Sequence, residues 1–140
     1  MIVLDTNVVS AFMDPEPDPI VQKWVDKQPH ESIWITTITL FEIRFGLELL
    51  PQSRRKAAMT QAFLRLVNEK LDRRMLAFDE ASAEAAAFLA ARRRSMGKPV
   101  DLADTQIAGI VLSHSATLAT RNVKHFADID AHIINPWADS

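Results

Sequence analysis

Short apolar runs alternate along the chain with longer stretches in which apolar residues recur at helical spacing. Such short runs, rich in β-branched and aromatic residues, predict buried strands. Their alternation with helices is typical of an α/β protein, in which a parallel sheet of about five strands is sandwiched between helices. The predicted strands are Ile2–Leu4, Ile33–Thr37, Met75–Phe78, Thr117–Thr120 and Ile133–Ile134.

Capping residues and prolines mark the predicted helix boundaries. Asp18 followed by Pro19 is a typical helix start, because proline suits the first helical position. Thr6 or Asn7 is expected to cap the first helix, and Thr39 is expected to cap the helix after the second strand.

The length of 140 residues predicts one domain that spans residues 1–140. The chain has no cysteine, which excludes disulfides, thiolate metal sites and a cysteine nucleophile. No apolar run approaches the ~20 residues of a membrane span, and the short apolar start is not a signal peptide. We therefore expect a cytoplasmic protein with no membrane partner.

The formal net charge of −2 argues against a protein that binds nucleic acid by bulk electrostatics. It remains compatible with an enzyme that acts on nucleic acid through metal ions held by its own carboxylates. Basic residues cluster at Arg54–Lys56, Arg73–Arg74 and Arg92–Arg94. We interpret these clusters as solvated helix faces and helix ends.

Four acidic residues fall where strands and helices meet at one edge of the predicted sheet. Asp5 follows the first strand, and Glu42 is expected in the first turn of the helix after the second strand. Asp101 and Asp104 open the helix that precedes the fourth strand. Glu42 and Asp104 also fit capping boxes, and acids suit helix starts, so each has a structural alternative. A purely structural role is least expected for Asp5, because its neighbours Thr6 and Asn7 are available as helix caps.

Three or four carboxylates at one edge would repel one another without a counter-ion. Mg²⁺ or Mn²⁺ removes this repulsion, since both ions prefer oxygen ligands. Such a site favours metal-assisted phosphoryl transfer. Zinc is not indicated, because the histidines lack ligand spacing; they are His30, His114, His125 and His132.

Four motifs, in order, resemble those of PIN-domain proteins, and the chain's ending is similar to that of the VapC and FitB-like toxins of this family. The motifs are Val3–Asn7, Ile35–Gly46, Asp101–Ala108 and Leu118–Phe126, and the ending is Asn135–Trp137. The resemblance covers almost the whole chain. It implies a PIN-like fold and a Mg²⁺- or Mn²⁺-dependent endoribonuclease that acts as the toxin of a type II toxin–antitoxin system.

The resemblance also assigns residues. It implies that Asp5, Glu42 and Asp104 are the catalytic, metal-binding acids. A fourth acid of some relatives falls on Asn122 or His125, and neither is acidic here, so we expect a one-metal reaction. Asp128 is the remaining candidate for this role, although it lies one turn farther along the chain.

Five residues are expected to position the substrate or water. Thr6 and Thr120 would act through their hydroxyl groups, and Arg121 would contact the RNA backbone. Asn122 and His125 would bind water or phosphate. Single-stranded RNA or an RNA loop is the expected substrate, because cleavage needs an accessible backbone.

The resemblance further implies a cognate antitoxin of the VapB or FitA type. Its tail would follow an apolar groove and place an arginine among the acids, a pairing that guanidinium geometry favours. We expect the helices that begin at Pro19 and Ser53 to form this groove. A homodimer, or a hetero-oligomer with the antitoxin, is also expected, with Trp137 either at an interface or in the core.

Two other functions remain open. A haloacid-dehalogenase-like phosphatase also has an aspartate after its first strand, but it needs a second aspartate where this chain has Asn7. A non-catalytic PIN-like module without the fourth acid would bind RNA or protein and cut nothing. Assays of the purified protein distinguish the three functions: a ribonuclease cleaves RNA, a phosphatase hydrolyses monoesters, and a binding module does neither.

Overall fold

The computed structural model describes residues 1–138, so Asp139 and Ser140 at the end of the predicted domain lie outside the described residues. The strands are β1 (Ile2–Leu4), β2 (Ile33–Thr36), β3 (Met75–Leu76), β4 (Thr117–Ala119) and β5 (Ile133–Ile134). The α-helices are α1 (Thr6–Met13), α2 (Pro19–Lys27), α3 (Thr37–Leu49), α4 (Arg54–Arg65), α5 (Glu80–Ser95) and α6 (Leu102–Ser113). A π-helical turn continues α4 over Leu66–Lys70, and 3-10 turns occupy His30–Ser32 and Val123–Phe126.

All five strands are parallel and lie in the order β3-β2-β1-β4-β5. The predicted α/β fold is therefore confirmed. β1 is central, with Ile2 opposite Ile33 on one side and Leu4 opposite Ala119 on the other. The chain leaves β1, β2 and β4 at the same edge of the sheet, so the residues that follow these three strands become neighbours.

The core lies on both faces of the sheet. Leu4 packs on one face with Trp24 and Phe63 from α2 and α4, and all three side chains are buried. Val3 packs on the other face with Ile107 and Phe126. Successive strand residues point to opposite faces, so even a three-residue strand contributes to both layers.

Helices α5 and α6 pack closely because α6 carries a glycine at their contact. A Cβ atom on Gly109 would lie 2.4 Å from the carbonyl oxygen of Ser82 and 2.7 Å from the Cβ of Ala86. Any side chain at position 109 would force the helices apart. This contact fixes α5 relative to α6, which carries Asp104.

The structure corrects two of the predicted caps. Asp5, rather than Thr6 or Asn7, caps α1, since its Oδ1 accepts from the Thr6 backbone N–H at 2.8 Å. Helix α3 begins at Thr37, because the Thr36 hydroxyl accepts from the backbone N–H of Thr39 at 3.1 Å. Thr39 therefore lies inside the helix.

Other local predictions agree with the structure more closely. Asp18 caps α2 with Pro19 at its start, and Ser53 caps α4. Gly97 follows α5 with a φ of 71°, a conformation that favours glycine. The strands β3 and β4 are shorter than predicted. No helix within residues 1–138 combines the length and apolar character that crossing a membrane requires.

Candidate active site at the sheet edge

Asp5 occupies the centre of the sheet edge, directly after β1. Its backbone N–H donates to the Ala119 carbonyl at 2.9 Å, which extends the β1–β4 ladder by one bond. The side chain is only 3% exposed. Its Oδ2 accepts from the Thr120 hydroxyl at 2.8 Å and from Asn7 Nδ2 at 3.3 Å. These contacts fix the direction of the carboxylate.

The pKa of Asp5 is raised to about 6, chiefly because burial disfavours the charged form. The negative charges of Asp104 and Glu42 raise this pKa further, while hydrogen bonds from Thr120 and Thr6 oppose the rise. Within residues 1–138, no basic side chain forms an ion pair with Asp5 or Glu42. The edge therefore holds negative charge that the described protein does not neutralise.

Glu42 lies in the second turn of α3, which corrects its predicted place in the first turn and in a capping box. Its Oε1 accepts from the Thr6 hydroxyl at 2.7 Å. The Thr6 hydroxyl also lies 3.0 Å from that of Thr39. Thr6 therefore connects the start of α1 to Glu42 and holds this carboxylate beside Asp5.

Asp104 reaches the same edge from the first turn of α6. Asp101 caps the helix, and its Oδ1 accepts from the Asp104 backbone N–H at 2.9 Å, so the predicted capping role of Asp101 is confirmed. The carboxylate of Asp104 instead lies 3.0 Å from Nδ1 of His125. Helix and 3-10 turn thus bring together two predicted site residues that are distant in sequence.

The three acids do not form a ready-made metal cage. Within residues 1–138, no three carboxylate or imidazole side chains lie close enough together to enclose an ion. The three side chains nevertheless fit a hard divalent ion, because Asp5, Glu42 and Asp104 offer only oxygen ligands. Their negative charges also repel one another, which favours a bound cation. Mg²⁺ commonly binds through one or two carboxylates and keeps several of its waters, which a wider spacing accommodates.

Asn7 is a site residue that sequence reasoning missed, because it was interpreted as a helix cap. Its Nδ2 donates to Asp5 and to the Thr120 hydroxyl, each at 3.3 Å. Its Oδ1 accepts from the Arg121 backbone N–H at 3.1 Å. Asn7 therefore ties the segments after β1 and β4 together. Its position next to Asp5 within the opening motif was the available signal.

The segment after β4 places the remaining predicted residues at the rim. The backbone N–H of Asn122 donates to the Thr120 hydroxyl at 3.0 Å, and its side chain is exposed. The guanidinium of Arg121 lies 4.6 Å from the ring centre of Trp137. Trp137 is partly buried and donates through Nε1 to Asp18 at 2.9 Å, so it packs within its own chain.

Comparisons with known proteins identify the family to which this chain belongs. The PIN domain model matches residues 2–132. The chain belongs to the PIN domain family. It is 37% identical to the VapC ribonuclease Y4jK of Sinorhizobium fredii over 98% of both chains. It is 36% identical to the plasmid stability protein StbB of Pseudomonas syringae pv. tomato, over 98% of this chain and 99% of the relative.

A solved structure shows the same fold. The crystal structure of FitAcB from Neisseria gonorrhoeae superposes with a TM-score of 0.86 at 34% identity, covering 98% of this chain and 99% of that one. The resemblance to VapC and FitB-like toxins is thus confirmed.

This PIN domain uses the last acid near the edge, Asp128, for a different purpose. Arg93 donates to Asp128 through Nε and Nη2, both at 2.8 Å, and is only 5% exposed. The pair lowers the pKa of Asp128 to about 2, mainly through these hydrogen bonds. The interpretation of Arg92–Arg94 as a solvated cluster is therefore wrong for Arg93. Asp128 is committed to Arg93, so it does not supply a free fourth acid.

Proposed function

We propose that this PIN domain is a metal-dependent endoribonuclease and the toxin of a type II toxin–antitoxin pair. The observation that carries the proposal is Asp5, a buried carboxylate with a raised pKa beside two other acids and without a basic partner within residues 1–138. Such perturbed acids cluster at functional sites. The names of its relatives, VapC ribonuclease Y4jK and toxin FitB, support the same function.

Asp5, Glu42 and Asp104 would hold Mg²⁺ or Mn²⁺, some of them through water. The bound ion would lower the pKa of a water molecule and stabilise the charge that builds on the scissile phosphate. A single ion is the expectation, because Asn122 and His125 are not acidic and Asp128 is paired with Arg93.

The chain's other residues orient these acids and the RNA. Thr6 directs Glu42, and Thr120 with Asn7 directs Asp5, so the carboxylates are held before substrate binds. The exposed Asn122 and His125 stand where RNA would pass, and they would bind its phosphates or water. Single-stranded RNA suits this open rim.

The antitoxin would bind along a groove on the α1, α2 and α4 side. A pocket of about 460 Å³ there is lined by residues that include Phe12, Gln22 and Leu66. A smaller pocket between α1, α3 and α4 extends to Glu42. This path fits the predicted use of the helices that begin at Pro19 and Ser53. The names of two similar structures, FitAcB and FitAB bound to a DNA fragment, support a FitA-like partner for this chain.

A second copy of the chain would cover the exposed face of α3. Phe41 and Phe45 are 67% and 55% exposed and stack with ring centres 5.9 Å apart. Leu49 and Leu102 extend this apolar surface. This face is a better homodimer surface than Trp137, which packs within its own chain. Such an RNA-cutting pair would work in the cytoplasm.

The proposal is tested with the chain freed of any co-purified partner and a mixed pool of RNA. We expect cleavage with Mg²⁺ or Mn²⁺, none with EDTA, and a loss of roughly a thousandfold or more in the double variant Asp5→Asn, Asp104→Asn. The matched control, Glu31→Gln with Glu84→Gln, removes two exposed acids elsewhere and should cut normally.

The opposite result has a defined meaning. If the folded wild-type chain binds Mg²⁺ but cuts no RNA, the chain is the non-catalytic binding module. The variant Asn122→Asp then tests whether a restored fourth acid restores cleavage. Hydrolysis of phosphate monoesters instead of RNA would contradict both functions and favour the phosphatase.

A further inference from the structure

A pocket of about 270 Å³ opens beside Asp104, between the α5–α6 connection and the 3-10 turn after β4. Asp104 and His125 form one of its walls, so it is continuous with the acidic edge. Lys98 and Lys124 approach it from the two opposing segments. None of the functions assigned so far uses these two lysines.

The pocket is held in shape by Arg93, whose buried guanidinium lines it. Through Nη2, Arg93 donates to the carbonyl of His125 at 2.7 Å, next to Lys124 in the chain. Its own carbonyl accepts from the backbone N–H of Lys98 at 2.9 Å. The ion pair with Asp128 holds Arg93 itself. One buried residue therefore fixes the backbone that carries each lysine.

Some charged residues of the pocket form ion pairs within residues 1–138, and others do not. Arg93 forms an ion pair with Asp128, and the carboxylate of Asp104 lies within hydrogen-bond distance of His125. Within residues 1–138, neither Lys98 nor Lys124 forms an ion pair. Two lysines without ion pairs thus line a concave space.

A phosphate of a bound strand suits this space better than a free anion. The carboxylates of Asp101 and Asp104 repel a free anion from the pocket. A strand bound at the adjacent acidic edge carries its next phosphate there, so the local concentration of that phosphate is high. Lysine is a common partner for phosphate.

We propose that Lys98 and Lys124 form a subsite for a backbone phosphate of the RNA strand, next to the phosphate at the acidic edge, and that the Arg93–Asp128 pair builds it. The inference rests on the proposed function, because it takes RNA as the substrate. It names the residues that hold the strand on the Asp104 side of the site.

The test measures binding of a fluorescein-labelled, mixed-sequence single-stranded RNA by anisotropy with Mg²⁺. All proteins carry Asp5→Asn, so that the RNA stays intact. The double variant Lys98→Ala, Lys124→Ala should bind about 3- to 30-fold more weakly. Its plot of log K against log salt should be shallower by roughly 0.7, since the subsite holds one phosphate and each phosphate contact with a single strand contributes about 0.7.

The control Lys23→Ala, Lys27→Ala removes the same charge from α2 and should change both quantities much less. Asp128→Asn gives a second, sharper test, because it makes the chain more positive. If net charge alone controlled the affinity, this variant would bind RNA more tightly. If the Arg93–Asp128 pair builds the subsite, Arg93 loses its partner in this variant and RNA should bind more weakly. Circular dichroism checks that each variant is folded.

Three results would overturn the subsite. The double variant at Lys98 and Lys124 could lose no more affinity for RNA than the control variant on α2. The Asp128→Asn variant could bind RNA more tightly. The Lys98 and Lys124 variant could also keep its RNA affinity and lose a protein partner, which would assign the pocket to that partner. Binding does not require cleavage, so this inference and the proposed ribonuclease activity can fail separately.

Discussion

Asp5 follows β1 directly and Asp128 follows the 3-10 turn after β4, yet the fold treats the charges of these two acids in opposite ways. Asp5 is buried with two acids as neighbours, and its pKa rises to about 6. Asp128 is held by Arg93, and its pKa falls to about 2. One carboxylate is neutralised by its own chain, whereas the other has no basic partner within residues 1–138. The difference favours Asp5 over Asp128 for the proposed chemistry.

The two acids also have opposite effects on stability as pH changes. The raised pKa of Asp5 gives a contribution that is fully present below its ordinary pKa of 3.8 and is lost as pH rises through about 6. The lowered pKa of Asp128 gives a contribution that is present above 3.8 and is lost as pH falls through about 2. At pH 7, the ionised Asp128 stabilises the fold, whereas the ionised Asp5 destabilises it.

Breaking the Arg93–Asp128 pair should have the largest effect. Arg93→Met leaves Asp128 without its partner, so the free energy of unfolding at pH 7 should fall by about 3 kcal/mol. Urea unfolding measures the change, and the loss should shrink as pH approaches 2. Arg94→Met, which alters the exposed neighbour, is the control and should change stability little. Equal losses in the two variants would contradict the role of the pair.

Removing the hydroxyl that supports Asp5 should rank second. Thr120 is fully buried and donates to Asp5 at 2.8 Å. Thr120→Val should lower the free energy of unfolding by about 2 kcal/mol at pH 7 and raise the pKa of Asp5 further. The loss should be smaller at pH 4, where Asp5 is protonated. Thr117→Val, at the start of the strand that Thr120 follows, is the control, and a loss independent of pH would argue against this account.

Neutralising Asp5 should stabilise the fold, by a smaller amount. Asp5→Asn should raise the free energy of unfolding by about 1–2 kcal/mol at pH 7, since it removes a buried charge but weakens two hydrogen bonds. The gain should disappear near pH 4. Mg²⁺ should raise the melting temperature of the wild type more than that of this variant, which keeps Glu42 and Asp104. Asp128→Asn should move stability in the opposite direction, and a gain there would refute the comparison.

The smallest expected effect is on the pKa of Asp5 alone. Asp104→Asn removes a negative charge that raises this pKa, so the pKa should fall. Carbon-13 NMR of the Asp5 carboxyl group, followed over pH, measures the shift. Glu42→Gln should act in the same direction but more weakly. If the pKa does not move in either variant, the three acids do not share one electrostatic site.

Local sequence signals predicted the order of the helices and strands, but they misplaced several of the residues at which these elements begin or end. Asp18 with Pro19 marks a helix start by covalent geometry alone, so its position was predictable. Near the second strand, Thr36, Thr37 and Thr39 are all eligible caps. The choice among them depends on where β2 stops pairing with β3, which is a long-range property.

The sequence by itself determined that three acids lie near one edge of the sheet, because Asp5 follows a strand, Asp104 opens a helix and Glu42 lies early in the helix after β2. Only the tertiary structure decided what happens to each charge. Arg93 and Asp128 are 35 residues apart, and the packing of α5 against the 3-10 turn makes them partners. Burial and pairing shift a pKa through surroundings in three dimensions, and those surroundings come from the whole fold.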